Sequence, residues 1–502
     1  MPSVSVKLYS VVFKALLKHK LSSHSPSADG KDGSGLGTLR LSNKVPANAS
    51  FVDGVATKDL NIDASLTLRI FLPESVLPQE LITPGNTGLF GCIQKEAQGG
   101  DNRPDKDRRS SCGGDKRLQY AESRRNSWGG ERVKQLLSKK ECARLDICQS
   151  FHGEGNQLIE EVDDKLFAKS QCAGSFRVAH DTNACRGNYR GYLPDIAADN
   201  NKRLPIIVQF HGGGFVAGSK DSTGNDYFCR RMAKICDAIV VAVGYRLAPE
   251  HKYPAAFDDG FNALAWIAKQ ANLAECNKSV GISLQGKISD EVFLPKKSDR
   301  ELISAFGGSS IAEPWISAHG DPSRCVLLGV SSGGNIADFV ARKAVQAGRL
   351  LDPIKIVAQV LMYPFFIGSL PTQSEVKLAN SYFYDRATCI LAWKLLFPEG
   401  KFSLDHPVAN PLVPGREPPL KHMPPTLTVV GELDWMKDRA IAYSEALRRA
   451  SLDAPVLEYK DAVHEFATLD FLVKSRQAEA CAEDVTIWIK KYVSQKGHEF
   501  SY

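Results

Sequence analysis

The sequence predicts an α/β fold in which a mainly parallel central sheet is covered by helices on both faces. Short apolar runs alternate with helical patterns from residue 204 onward. Strands that are apolar throughout are typical of a parallel sheet buried on both sides. An alternating pattern over residues 52–73 adds a two-stranded antiparallel unit at the start. The predicted buried strands are 206–210, 238–243, 325–330, 356–362, 427–430 and 456–459.

The size and composition of the chain are those of a large globular protein. Its 502 residues suffice for one large core with insertions or for two to three average domains. The chain is 43% hydrophobic and 24% charged, and its net charge of +6 is small for this length. Composition therefore gives no support for a nucleic-acid partner. No apolar run approaches the roughly 18 residues of a stable membrane span.

The cysteines and the N-terminal residues indicate the cellular compartment in which we expect the protein. Twelve cysteines are scattered without paired C-x-x-C spacing, so a zinc site has little support. No secretory leader is recognisable, because lysines interrupt the apolar residues near the N-terminus. We therefore expect reduced thiols and a cytoplasmic location, with the nucleus as an alternative.

The N-terminal region predicts a helix followed by a linker. Residues 4–21 mix apolar side chains with lysines, which predicts an amphipathic basic helix. We expect it to pack on the body of the protein, with a membrane-surface helix or an organelle leader as the alternative. Residues 22–49 are rich in Ser, Gly, Lys and Asn and are interpreted as a linker. Residues 1–49 thus form a predicted cap helix and linker, and residues 50–84 and 186–495 form the predicted α/β domain.

A long polar tract separates the two parts of that domain. Residues 85–185 hold half of the cysteines and show no strand periodicity, so we expect a disordered surface insertion. Its Arg-Arg-x-Ser motifs are candidate phosphorylation sites, with a solvated linker as the alternative. For about residues 131–182, a translated intron is a further alternative. A shorter insertion is predicted at residues 276–319, and the aromatic-rich residues 365–414 are expected to form a cap over a pocket.

The motif Gly-Val-Ser-Ser-Gly-Gly-Asn at residues 329–335 is the first sign of chemistry. It follows an apolar strand and precedes a helical pattern, which is the layout of a nucleophile elbow. Ser331 occupies the middle position and is the predicted nucleophile. Ser332 is expected to contribute only its backbone N–H, so its side chain should be replaceable by alanine. Alone, the motif is weak evidence, because an ordinary Gly/Ser-rich loop also matches it.

A run of three glycines follows the strand at residues 206–210. Glycines leave backbone N–H groups uncovered and permit unusual backbone angles, so this loop can aim donors at an oxyanion. We expect the N–H groups of Gly213, Gly214 and Ser332 to form an oxyanion hole. A flexible turn is the alternative.

The last two strands end in a candidate acid and a candidate base. Of the carboxylates after the penultimate strand, Asp434 is the first choice for orienting a histidine. Asp438 is expected to cap or pair on the next helix, and Glu432 is the third choice. His464 follows the last strand. The chain order Ser331, Asp434, His464, with each residue at a strand end, predicts a Ser-His-Asp triad.

These motifs resemble those of plant carboxylesterases in the hormone-sensitive-lipase-like branch of the α/β-hydrolases, to which the gibberellin receptors are related. The resemblance covers residues 53–73 and 204 to about 492. It implies the α/β-hydrolase fold, hydrolysis of small or medium carboxylic esters through an acyl-enzyme intermediate, and no metal or organic cofactor. The matching segments are 211–215, 245–250, 253–256, 258–259, 329–335 and 406–412, together with Asp434 and His464.

The sequence departs from the family pattern at three places. Val330 stands where Asp often precedes the serine, and Glu465 stands where Gly usually follows the histidine. The insertion at residues 85–185 has no counterpart in most relatives. The triad remains complete, so the first two departures bear on rate and substrate preference.

Three functions are compatible with the sequence. The triad predicts an esterase whose partner is a small-molecule ester, and the oligomeric state is left open. A non-catalytic hormone-like receptor on the same fold is the alternative, with the N-terminal helix as a lid. His464 favours the enzyme, because the resemblance implies that such receptors lack this histidine. A membrane-surface lipase would need the N-terminal helix to bind lipid.

Aromatic side chains suggest either an apolar substrate pocket or, equally, a packed core. They are Phe215, Tyr363, Phe365, Phe366, Tyr382, Phe383 and Trp393.

Overall fold

One eight-stranded sheet forms the centre of the protein and confirms the predicted α/β class. The computed structural model describes residues 4–22, 43–77, 191–194, 201–279 and 312–494. The strands are β1 (Val55–Asn61), β2 (Thr67–Pro73), β3 (Leu204–Phe210), β4 (Ile239–Gly244), β5 (Gly320–Val330), β6 (Ile356–Met362), β7 (Thr426–Gly431) and β8 (Val456–Tyr459).

The sheet is antiparallel at one edge and parallel elsewhere. Its strand order is β1-β2-β4-β3-β5-β6-β7-β8. The pair β1–β2 is antiparallel, as the alternating pattern of residues 52–73 predicts, and β2–β4 is antiparallel as well. The other five pairs are parallel. The carboxyl ends of β3 to β8 therefore meet along one edge, which is where open α/β sheets place their sites.

Apolar strands lie at the centre of the core. Every residue of β3 and of β7 is buried. Burying one Ile or Val side chain in such a strand contributes roughly 1.5–3 kcal/mol relative to leaving it exposed. The continuous apolar runs in the sequence therefore correspond to strands covered on both faces.

Helices cover both faces of the sheet. The helices α2 and α9 pack together, as do α3 and α5, and each pair contacts strands of the central sheet. The helices of the described residues are α1 (Val4–Ser22), α2 (Thr223–Cys236), α3 (Ala255–Ser279), α4 (Pro314–His319), α5 (Ser332–Ala347), α6 (Gln373–Lys377), α7 (Arg386–Leu396), α8 (Lys437–Arg449) and α9 (Arg476–Val493).

Side-chain caps fix where four of the described helices begin, among them α7 and α9. The Asp385 side chain accepts a hydrogen bond from the Thr388 backbone N–H at 2.8 Å and starts α7. The Ser475 hydroxyl oxygen accepts one from Ala478 N–H at 3.2 Å and starts α9. Such a cap is worth about 1 kcal/mol.

One strand is longer than the sequence pattern indicates. We expect β5 over residues 325–330, but it begins at Gly320. Gly320 and Asp321 pair with Leu204 and Pro205 before the register shifts. This early pairing lies in a polar stretch that carries no strand pattern, so the sequence alone could not reveal it.

Several predictions fall outside the described residues. The insertion at residues 85–185 and the segment 131–182 within it lie there, as does most of the second predicted insertion.

The six cysteines among the described residues are unpaired. In the described part of the chain, none of the helices combines the length and the apolar character needed to span a bilayer.

The N-terminal helix α1 packs on the body of the protein. Ser10 Oγ accepts a hydrogen bond from Phe383 N–H at 2.8 Å. The rings of Phe13 and Phe383 meet edge to face with centroids 5.7 Å apart, and those of Tyr9 and Phe471 lie 4.4 Å apart. These contacts place one face of α1 over the carboxyl edge of the sheet.

Candidate active site

The turn between β5 and α5 holds Ser331 in an unusual backbone conformation. Its φ is 51° and its ψ is −118°, and holding a residue in such a region costs about 1–3 kcal/mol. A Cβ on Gly329 would lie 2.2 Å from the Gly333 carbonyl oxygen, and a Cβ on Gly333 would lie 2.2 Å from the Phe210 carbonyl oxygen. Only glycine fits at both positions, which is the geometry expected of a nucleophile elbow.

Three predicted site residues form one hydrogen-bonded chain. Ser331 Oγ lies 2.8 Å from His464 Nε2, and His464 Nδ1 lies 2.7 Å from Asp434 Oδ2. Each side chain is at most 2% exposed. Asp434 Oδ1 also accepts a hydrogen bond from Met436 N–H at 2.9 Å, which fixes the carboxylate. One imidazole nitrogen thus faces the serine while the other faces the acid.

The two other candidate acids accept hydrogen bonds from backbone N–H groups away from His464. Asp438 Oδ2 accepts a hydrogen bond from Ser374 N–H at 2.7 Å. Glu432 Oε2 accepts one from Asp461 N–H at 2.8 Å. Of the three carboxylates after β7, Asp434 is therefore the one that the structure brings to His464.

The glycine-rich loop after β3 lies beside Ser331. Gly213 has a φ of 112° and Gly214 a φ of 62°, which favour glycine. A Cβ on Gly213 would lie 2.3 Å from the Ala217 carbonyl oxygen, so no side chain fits there. A Cβ on Gly212 would lie 3.3 Å from Ser331 Cβ. The loop therefore approaches the nucleophile closely enough to act on the same substrate atom.

The segment at residues 245–250 braces this loop. Tyr245 Oη donates a hydrogen bond to the His211 carbonyl at 2.8 Å, and the two rings stack with centroids 4.2 Å apart. Arg246 binds the buried Asp259 carboxylate through two hydrogen bonds of 2.7 and 2.9 Å. Such bidentate pairs fix geometry as well as adding energy.

Burial lowers the pKa of His211 to about 4, so this ring stays neutral near pH 7 and adds no charge to the site.

Asp434 keeps His464 basic in spite of its burial. Burial alone would lower the pKa of His464, because a charged imidazolium is poorly solvated in the interior. Attraction to Asp434 and the hydrogen bond to it outweigh burial, and Glu465 adds to the effect, so the pKa lies above 6.5. An imidazole in this setting can accept a proton from Ser331 and hold it.

A cavity of about 120 Å³ opens beside the glycine loop. Tyr9 and Phe13 of α1 line one part of it, and Tyr384, Phe471 and the Glu465 carboxyl group line others. Its wall is thus partly aromatic and partly acidic. Among the described residues, no cluster of His, Cys, Asp and Glu is arranged to bind a metal ion.

The aromatic residues suggested by the sequence do not line this cavity. Phe365 and Trp393 stack with ring centroids 5.4 Å apart, and Phe215 packs against both. All three are at most 2% exposed. These three residues therefore pack in the core and do not form a substrate pocket.

Comparison with known proteins agrees with this geometry. A family model described as the alpha/beta hydrolase fold matches residues 207–468, just over half of the chain. The chain belongs to the α/β-hydrolase family. Among its α/β-hydrolase relatives, probable carboxylesterase 11 of Arabidopsis thaliana is 55% identical over 509 aligned residues that cover 100% of both chains.

Two further similarities cover only part of the α/β-hydrolase chain. A gibberellin receptor of Arabidopsis thaliana is 34% identical over 52% of this chain and 59% of the receptor. A solved esterase of Pyrobaculum calidifontis is 26% identical, covers 58% of this chain and 77% of its own, and has a TM-score of 0.44.

Sequence reasoning missed three features of the α/β-hydrolase site. Tyr384 reaches the cavity from a loop that carries no motif. Tyr9 and Phe13 reach it from α1. In the sequence, only the receptor alternative, with the N-terminal helix as a lid, pointed to a contact of this helix with the cavity. The position of the Glu465 carboxyl group was also missed, although the residue itself stood out as a departure from the family's usual glycine.

Proposed function

We propose that this protein is a serine carboxylesterase that hydrolyses small or medium carboxylic esters. The observation that carries the proposal is the buried hydrogen-bonded chain from Ser331 through His464 to Asp434. The full-length similarity to a probable carboxylesterase supports the same activity. The substrate is a small-molecule ester.

In the first half of the reaction, Ser331 attacks the ester carbonyl. His464 Nε2 takes the proton from Ser331 Oγ as the bond forms. Asp434 holds the imidazole in the required tautomer and stabilises the imidazolium. The backbone N–H groups of Gly213, Gly214 and Ser332 donate hydrogen bonds to the oxyanion. Each such donor contributes roughly 3 kcal/mol to transition-state stabilisation.

The second half releases the acid. His464 gives its proton to the leaving alcohol, which leaves an acyl group on Ser331. A water molecule then loses a proton to His464 and attacks the acyl carbonyl. The carboxylic acid departs and Ser331 regains its proton, so the chemistry requires no metal or organic cofactor.

The hormone-like receptor is the rival function. The partial similarity to a gibberellin receptor and the position of α1 over the cavity are compatible with it. Two observations favour the enzyme: His464 is present and correctly paired, and Glu465 lines the cavity. An acidic group there disfavours a carboxylate ligand, because like charges repel in a poorly solvated site.

A panel of p-nitrophenyl esters with graded acyl length tests the proposed activity. We expect purified protein to turn over at least the short-chain members and to release alcohol and acid in equal amounts. Failure to hydrolyse any ester, together with saturable binding of a small carboxylic acid, would contradict the esterase and favour the receptor.

The acid side of the pH profile follows from the state of His464. Only neutral His464 can accept the proton of Ser331, and its pKa lies above 6.5 because of Asp434. We therefore expect kcat/KM to rise with pH on the acid side, with its midpoint above pH 6.5. Rates measured on one short-chain ester across the acid range check this. A profile that is flat from about pH 5 to about pH 8 would argue against His464 as the base.

A further inference from the structure

Glu465 places a carboxyl group inside the candidate site. It follows His464 directly and has a φ of 58°, in the left-handed region that favours glycine. Its side chain is only 6% exposed. Oε2 accepts a hydrogen bond from Tyr384 Oη at 2.8 Å. Oε1 is buried and makes no hydrogen bond of normal geometry to the described residues.

The free oxygen, Oε1, lies between the glycine loop and the nucleophile. A Cβ built on Gly212 would lie 2.1 Å from Glu465 Oε1 and 3.3 Å from Ser331 Cβ. The Gly213 amide and the Ser331 hydroxyl both interact electrostatically with this carboxyl group. An ester carbonyl attacked by Ser331 must place its oxygen in this same space.

We propose that Glu465 is a self-inhibiting group of the hydrolytic site, because its ionised carboxylate occupies the place at which the carbonyl oxygen of an ester would bind. This inference rests on the proposed function, since it requires Ser331 to attack an ester carbonyl. An ionised carboxylate there takes up the donors of the oxyanion hole and repels the negative charge that develops on the substrate. Protonation removes that charge, so the carboxyl group competes less strongly for these donors and the ester carbonyl can displace it.

The neighbours of Glu465 control when it ionises. Tyr384 faces it from the loop before α7, Ser331 from the elbow, and Gly213 from the glycine loop. Burial, the strongest influence, raises the pKa of Glu465, while His464 and hydrogen bonds from the other neighbours act against it. Two more buried hydroxyls, those of Tyr245 and Tyr363, and the buried thiol of Cys389 also interact with its charge. Of all these groups, only His464 can become positively charged.

Glu465 and His464 therefore titrate as a pair. The reactive form has His464 neutral and Glu465 protonated. It carries the same number of protons as the ion pair in which Glu465 has given its proton to His464. Above the pKa of Glu465, the fraction of the protein in the reactive form falls about tenfold for each pH unit. Removing the carboxylate should therefore restore activity at alkaline pH.

The pH dependence of kcat/KM in Glu465 variants tests the proposal. We expect Glu465→Gln and Glu465→Gly to exceed the wild type on a short-chain aryl ester above the pKa of Glu465, by a ratio that grows about tenfold for each pH unit. Glu458→Gln is the matched control, because Glu458 lies on β8 with its side chain 46% exposed and paired with Lys437. A thermal melt of each variant establishes that it folds.

Two outcomes would overturn the inference. One is that both Glu465 variants keep the wild-type pH profile, as the Glu458 control should. The other is that they lose activity at every pH while remaining folded, which would make the carboxyl group a required part of the reaction. If wild type and variants all fail to hydrolyse esters, the proposed function fails first. If the wild type is active and Glu465 has no effect, only the self-inhibition fails.

Discussion

Replacing Ser331 by alanine is expected to lower kcat on a short-chain aryl ester by about 10⁶-fold. The variant lacks the hydroxyl whose oxygen forms the acyl-enzyme, and His464 then has no proton to take. The alanine retains the strained backbone position, so the fold should persist. Steady-state rates at enzyme concentrations high enough to detect residual turnover provide the measurement.

Ser332→Ala is the matched control for that variant. Its backbone N–H, the expected oxyanion donor, remains in place, so most of the activity should be retained. The Ser332 hydroxyl lies 3.5 Å from Tyr245 Oη, at the limit of a hydrogen bond, and its loss should be tolerated. If Ser331→Ala kept wild-type activity, or if Ser332→Ala abolished it, the assignment of the nucleophile would be wrong.

Replacing Asp434 by asparagine is expected to lower kcat by about 10⁴-fold. The carboxylate accepts from His464 Nδ1 at 2.7 Å and thereby leaves Nε2 free to accept the proton of Ser331. An amide can donate to Nδ1 instead, which stabilises the wrong tautomer of His464. The imidazolium would also lose its negatively charged partner. The same steady-state assay measures the effect.

Asp438→Asn serves as the control for Asp434→Asn. Asp438 lies one turn further along and binds the Ser374 backbone, away from His464. We expect this variant to keep most of its activity. Equal losses of activity in the two variants would show that the assay reports a local loss of structure rather than the orientation of His464.

Much of the fold could be predicted because the core strands are apolar throughout. Residues 206–210 and 356–362 carry apolar runs typical of a buried strand, and both are strands in the structure. The early start of β5 could not be predicted, because Gly320 and Asp321 pair through their backbones in a polar stretch. Pairing through the backbone does not require particular side chains, so the sequence does not reveal it.

The candidate triad could be named from sequence because each member lies just beyond a strand. Parallel strands bring their carboxyl ends together, so Ser331, Asp434 and His464 meet although they are distant in the chain. The role of Glu465 could not be predicted in the same way. Its direction depends on a positive φ and on a hydrogen bond from Tyr384, which arrives from a separate loop. Sequence marks the residue as unusual but says nothing about where its carboxyl group points.

Reaction with an alkyl fluorophosphonate tests most directly the claim that Ser331 is the nucleophile of a serine esterase. The reagent forms a stable bond with an activated serine, and proteolysis followed by mass spectrometry locates it. We expect one phosphonyl group per chain on Ser331, loss of ester hydrolysis in step with labelling, and no label in Ser331→Ala. A label on Ser332, or continued hydrolysis by fully labelled protein, would contradict the assignment.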